Sequence, residues 1–178
     1  MDAHYDQVMK AREQSTASPS KLYFAYSTVL DSSAFEEWKG QHNYGFFNLP
    51  MGEVVEAVNL KLVFDFPSRW WGGRVAGLTD APGTSVFGML YEIAGQDWPI
   101  IRHKEGAVTG MCVERPVSIK RKDSHSVLNA VAFTTNPQRA SAEGEISSRF
   151  MEALLRGLEA AGLPERYRDS VRATGAGK

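Results

Sequence analysis

The residues from Val54 to Phe66 constrain the chain most. Val55, Val58, Leu60, Leu62, Val63 and Phe64 crowd β-formers into an approximate alternation that suits a pleated, half-buried strand and not a helix. They predict one long strand with room for a bend, and Pro67 stops it by removing the amide that the next ladder bond needs. So long a strand needs partners, and the next residues offer them. After a turn at Trp70-Trp71-Gly72-Gly73, Val75–Leu78 reads as a short strand, Asp80-Ala81-Pro82-Gly83 as a break and Ser85–Ile93 as a central strand. Gly106–Val113 and Arg115–Ile119 read as a further extended stretch. Arg121-Lys122-Asp123-Ser124 is then a polar turn, and Ser126–Thr134 returns as the second arm of a hairpin.

Helical signals flank this strand-rich middle. Leu22–Tyr26 is a short, aromatic strand. Ser33 then stands three residues before Glu36, the spacing of a capping box, which predicts a short helix through Trp38. Near the end, Ile146, Phe150, Leu154, Leu155 and Leu158 recur at helical spacing, with Gly162 and Pro164 as the stop, so one amphipathic helix should pack on the sheet. The polar, Pro19-containing segment Gln14–Ser20 makes residues 1–20 a flexible lead-in outside the core, with a short frayed helix at Asp6–Arg12. Residues 173–178 read as a frayed tail. Strands in the middle and helices at the edges predict an α+β fold built on a strongly curved sheet or small β-barrel.

Composition removes several function classes. A chain of 178 residues suits one core, and 20 Lys+Arg against 21 Asp+Glu provide no positive field for nucleic acid or an anionic membrane. The lone cysteine, Cys112, excludes an intrachain disulfide and a thiolate-rich zinc site, which favours a reducing, cytoplasmic setting. Apolar runs fall short of the ~18 residues of a membrane span, and Met1–Lys10 lacks an apolar leader block, so a soluble protein without an export signal is expected. His4, His42, His103 and His125 are scattered and read as surface residues, so no metal site is expected. Cys112 reads as a small core residue and not as a nucleophile served by His103. Arg74 breaks the glycine pattern of Trp71–Gly77 where a pyrophosphate would approach, and no P-loop is present. Trp70-Trp71 reads as core or rim packing.

Two segments stay open between surface and site. Glu105, in the segment 100–108, is a solvated carboxylate on one reading and a group at the barrel mouth on the other. The loop Tyr26-Ser27-Thr28-Val29-Leu30 is a simple turn or a cradle of backbone amides for an anion.

Three blocks taken in order, Tyr23-Phe24-Ala25-Tyr26-Ser27-Thr28-Val29-Leu30, then Val86-Phe87-Gly88-Met89-Leu90-Tyr91-Glu92, then Glu105-Gly106 through Gly110-Met111, resemble the γ-glutamylcyclotransferase-like family. They are similar to its F-A-Y-G-S-N-L, V-x-G-x-L-Y and L-D-x-x-E-G segments, and Gly162-Leu163-Pro164-Glu165-Arg166-Tyr167 is similar to a late G-L-P-x-x-Y. The resemblance implies a small mixed barrel with flanking helices as a single domain over 21–172. It implies an enzyme that releases an amine or amino acid from a γ-glutamyl amide as 5-oxoproline forms, with no cofactor and a small-molecule substrate. It makes Glu105 the general acid/base. Tyr23, Phe24, Ala25 and Tyr26 become the substrate-binding strand, the amides of Ser27, Thr28, Val29 and Leu30 the anion cradle, and Cys112, Phe133 and Thr134 the remaining wall.

This chain departs from that pattern in several places. Ser27, Thr28 and Val29 replace Gly, Ser and Asn, so a positive φ at position 27 would carry a steric cost. Ile101-Arg102 replaces Leu-Asp. Phe133 stands where members often place Tyr, and Cys112 where some do. Missing hydroxyls redirect specificity. The competing readings are a catalytically silent small-ligand module on the same barrel and an interaction domain using Trp70-Trp71.

Overall fold

The β-rich stretch pairs with the residues that follow the Trp70-Trp71 turn, and the rest of the chain closes around that hairpin. The computed structural model describes residues 4–124 and 126–176. In order the elements are α1 (Tyr5–Gln14), β1 (Lys21–Ala25), a 3₁₀ turn (Thr28–Leu30), α2 (Ser32–Gln41), β2 (Glu53–Ser68) and β3 (Gly73–Ile93). A second 3₁₀ turn (Gly95–Asp97), α3 (Trp98–Lys104), β4 (Cys112–Arg121), β5 (Val127–Thr135), α4 (Ser148–Ala160) and α5 (Glu165–Ala176) follow. The strands close into a barrel in the order β1-β3-β2-β4-β5. All neighbours are antiparallel except β1 with β5, which meet in parallel at Tyr23 and Val131. The α+β, mixed-barrel expectation holds.

The break expected at Asp80–Gly83 does not end a strand. Leu60 pairs with Asp80 and Val58 with Ser85, so Asn59 alone faces residues 81–84 and the ladder resumes beyond them. Asn59 (φ 59°) and Gly83 (φ 79°) take the left-handed backbone this bulge needs, and the Gly83 amide donates to Asn59 Oδ1 at 3.0 Å. The turn chemistry is present, but both flanks find the same partner strand, and the two expected strands are one.

Alternation along β1 divides the core. Phe24 joins Val55, Leu90, Ile119 and Ala132 inside the barrel, whereas Tyr23 and Ala25 face the helices with Phe35, Phe150 and Leu154. Gly88 of β3 lies under Phe24. A Cβ there would sit 2.3 Å from the Ala25 carbonyl oxygen and 2.8 Å from the Phe24 ring. Gly88→Ala is therefore expected to destabilise by about 1–3 kcal/mol, lowering the melting midpoint by about 2–12 °C for a domain of this size. An unchanged midpoint in a thermal melt would show that the two strands part at no cost.

Several local expectations are corrected. The supposed lead-in is α1, whose Val8 is 1% exposed and whose Arg12 pairs with Asp97 at 3.0 Å, because its one apolar face meets α3. No capping box forms. Asp31 is the residue before α2, Ser33 lies inside its first turn, and Glu36 pairs instead with the buried Lys39 at 2.7 Å. Residues 106–111 are not extended. Gly106 (φ 75°) and Gly110 (φ 69°) turn the chain back, so the strand begins at Cys112. Helix α3 had no apolar periodicity long enough to read, although Pro99 suits a first turn. In α4, Ser147 caps by accepting from the Phe150 amide, and Ile146 lies outside the helix, bridging to Arg74. The supposed tail belongs to α5 as far as Ala176, held by Val171 at 4% exposure. Residues 177–178, like His125, lie outside the described residues.

Candidate active site

Strand direction brings the candidate residues to one end of the barrel. β1 and β5 run parallel and end there at Ala25 and Thr135, and antiparallel β4 begins there at Cys112, directly opposite Thr135. The turn after β1 and the turn between α3 and β4 therefore share that end.

Glu105 follows the last residue of α3, where the chain leaves the helix. It is half-buried, and its Oε1 accepts the Tyr23 hydroxyl at 2.5 Å. Tyr23 itself is 1% exposed and is enclosed by the rings of Tyr91, Trp98 and Phe133 at centroid distances of 6.2, 6.2 and 6.0 Å. Burial, then the charge of Glu105 and the bond to it, raise the Tyr23 phenol well above its ordinary value. It therefore stays a donor to Glu105 Oε1 through the physiological range.

Tyr26 is equally buried, and its hydroxyl donates to the Phe133 carbonyl. Its phenol is also raised, by burial first and then by Cys112, Glu105 and Asp65. Burial together with Glu105 and Asp65 outweighs Lys104 and pushes the Cys112 thiol up to about 12. Cys112 is thus a protonated thiol beside the acid, not a thiolate nucleophile. The Thr134 hydroxyl is spent on the Leu78 main chain, accepting from its amide at 2.8 Å and donating to its carbonyl at 3.2 Å. Phe24 points into the barrel, stacked on Tyr26, while Ala25 and Phe133 are buried among the helix-facing residues.

The loop after β1 is a 3₁₀ turn. Ser27 has φ −125° and ψ −155°, ordinary extended backbone, so the turn forms without the glycine that the family pattern places there. Thr28, Val29 and Leu30 bury their side chains and anchor it. The Leu30 amide is committed to the Ser27 carbonyl at 3.1 Å, which removes it from the expected cradle. The leading amides, those of Thr28 and Val29, have no acceptor within such a turn.

Residues missed in the sequence complete this end. The Thr135 hydroxyl donates to Asp65 Oδ1 at 2.6 Å, and Gly77 makes room, since a Cβ there would lie 2.6 Å from both groups. A single acid between Phe64 and Phe66 in an apolar strand was the available signal. The histidines also differ from expectation. His103 is 7% exposed and bonds Tyr44 through Nδ1 at 2.9 Å, with the His42 and His4 rings 5.0 and 5.7 Å away. Among the described residues no three His, Cys, Asp or Glu side chains are placed to hold a metal ion. No described helix is long and apolar enough to cross a membrane. Trp71 packs on Phe150 at the rim, whereas Trp70 is half-exposed under Arg149.

Two surface clefts are lined by residues other than Glu105. One of about 210 Å³ runs between α1 and α3, lined by Val8, Lys21, Trp98 and Arg102, and one of about 160 Å³ lies between α2 and α4.

Comparison with known proteins points in one direction. Residues 85–171 match the AIG2-like family. The fold superposes on an uncharacterised human protein with a TM-score of 0.72 at 20% identity, covering 86% of this chain and 87% of that one. A protein named gamma-glutamyl cyclotransferase gives 0.70 at 20% identity, with the same 86% and 87% coverage. YkqA from Bacillus subtilis gives 0.72 at 17% identity, covering 94% of this chain and 58% of that one. No curated protein matches the sequence. At these identities the solved structures establish the fold.

Proposed function

We propose that this chain, γ-glutamylcyclotransferase-like in its barrel and its motifs, is an enzyme that cyclises a γ-glutamyl amide to 5-oxoproline and frees the attached amine or amino acid. The observation that carries this reading is the half-buried Glu105 held by Tyr23 at the barrel end where the 27–30 turn offers the Thr28 and Val29 amides. A name borne by one structural neighbour, gamma-glutamyl cyclotransferase, agrees with it.

The reaction needs no oxidant, reductant or water. Glu105 takes a proton from the substrate's α-ammonium, and the freed amine attacks the substrate's own γ-carbonyl carbon. A C–N bond closes the five-membered ring. Glu105 then gives that proton to the leaving nitrogen as its bond to the carbon breaks, and the second proton of the ring nitrogen passes through Glu105 to the freed amine, which departs as its ammonium. Because nucleophile and electrophile belong to one molecule, holding a folded conformer does much of the work. The two turn amides receive the α-carboxylate or the carbonyl oxygen on which charge develops. Tyr26 and Thr134 spend their hydroxyls within the protein, and Phe133 offers none, so this wall recognises substrate through shape and main chain. That fits a substrate range shifted from the family pattern. A small-molecule substrate, no nucleic-acid or membrane partner and a reducing, cytoplasmic setting for the free Cys112 thiol belong to the same reading.

The test is incubation with a panel of γ-glutamyl amines, amino acids and peptides, monitored for 5-oxoproline. Turnover supports the enzyme. Saturable binding without product would establish the silent module instead. Within the enzyme reading, Tyr23→Phe keeps the ring but removes one hydrogen bond to a charged group, worth about 1.5–3 kcal/mol. It is expected to lower kcat by about 10–100-fold with KM little changed. Steady-state kinetics showing wild-type kcat would deny Tyr23 any part in the proton transfer.

A further inference from the structure

We infer that Arg156 and Gly157 of α4 are positioning residues that hold the 27–30 turn in its working shape, an inference about the same site that rests on the function proposed above. Asp31 occupies the N-cap position of α2, where an aspartate ordinarily accepts from its own helix. Its side chain makes no such bond. Instead Asp31, 5% exposed, accepts from Arg156 Nη2 through Oδ2 at 2.8 Å, which ties the residue after the turn to a helix more than a hundred positions away.

Gly157 makes a second hold at the same place. A Cβ on it would lie 2.7 Å from the Asp31 amide nitrogen and 2.8 Å from the Leu30 carbonyl carbon. Both obstacles are backbone and cannot rotate aside. α4 therefore rests directly on the 30–31 peptide, and its depth is set by Leu154 and Leu158, which are fully buried on either side. Asp31 and Leu30 in turn close the turn, their amides bonded to the Thr28 and Ser27 carbonyls at 3.1 Å. Any shift of this peptide moves the Thr28 and Val29 amides with it. A displacement of about an ångström at reacting groups costs about a hundredfold in rate.

The variants are Gly157→Ala, Arg156→Met and Arg156→Lys, and the readouts are kinetics and amide hydrogen exchange. Arg156 is exposed, so its variants remove no core packing, and a melting midpoint measured alongside separates loss of the hold on Asp31 from loss of the fold. Exchange at the bonded Leu30 and Asp31 amides is expected to accelerate at least several-fold in Arg156→Met and to return towards wild type in Arg156→Lys, with exchange in β2 and β3 unchanged. On a γ-glutamyl substrate that the wild type turns over, Arg156→Met should raise KM several-fold, and Gly157→Ala should lower kcat/KM by at least tenfold. Wild-type exchange and wild-type kcat/KM in Arg156→Met overturn the inference. A wild type that turns over no γ-glutamyl compound fells the cyclising reaction instead, and the exchange data alone then decide whether α4 holds the turn.

Discussion

Glu105→Gln is expected to lower 5-oxoproline formation by about 10²–10⁴-fold, the usual loss when a positioned acid/base is removed, without loss of the fold. Glutamine has the shape of glutamate and still offers Tyr23 a carbonyl oxygen to replace the contact made by Oε1. Binding of a γ-glutamyl compound should therefore survive. What disappears is the second, basic oxygen that takes the α-ammonium proton. The amine then stays protonated and cannot attack. Progress curves for wild type and variant, with melting midpoints measured alongside, separate the cases. A variant that cyclises substrate at the wild-type rate would remove Glu105 from the chemistry, and one that fails to bind would make it a substrate-holding group.

Above about pH 10 the fold is expected to lose stability steeply. The phenols of Tyr23, Tyr26 and Tyr167 are raised from their ordinary value, in each case chiefly by burial. A group whose proton is held more tightly in the folded state contributes full stability below the unfolded pKa and loses it as pH rises towards the folded one. Between these limits the unfolded chain has released protons that the folded chain keeps. Each such group costs about 1.4 kcal/mol per pH unit, so three phenols together cost about 4 kcal/mol per unit. Cys112, raised to about 12, begins the decline nearer pH 9. A domain with about 5–15 kcal/mol to lose should unfold within a few units. Urea melts from pH 8 to 11 should show the slope, and tyrosinate absorbance of these three rings should rise only with unfolding. Smooth titration of all six tyrosines near pH 10 in a still-folded protein would contradict the burial on which the site depends.

What was legible in the sequence follows the range of the forces involved. β2 was readable from its own residues because period-two alternation is a local property, and α4 because Phe150, Leu154 and Leu158 repeat at helical spacing. The sequence reads α1 as a flexible lead-in with a frayed helix and the last turn of α5 as a tail, since a mostly polar helix is held by the few residues, Val8 and Val171, that reach the core. The 80–83 break was read correctly as turn chemistry and wrongly as a strand end, because only the partner strand decides whether a bulge interrupts a ladder or is absorbed by it. Glu105 was legible as a candidate only through the motif around it. Nothing local says that its neighbour is Tyr23, eighty-two positions earlier. Likewise Leu30 looked as available as Thr28 until the turn type assigned its amide to Ser27.

The order of apolar and polar residues alone determined that this chain builds strands in its middle and packs an amphipathic helix against them, and only the resemblance to a family motif singled out Glu105. Tertiary structure decided the rest. Barrel closure set the end at which β1, β4 and β5 meet, and hence which phenol the acid touches and which hydroxyls are already spent. It also decided that a distant helix bears on the turn. Side-chain periodicity acts over a few residues, whereas hydrogen-bond partnership and desolvation depend on distances in space that only the closed barrel defines.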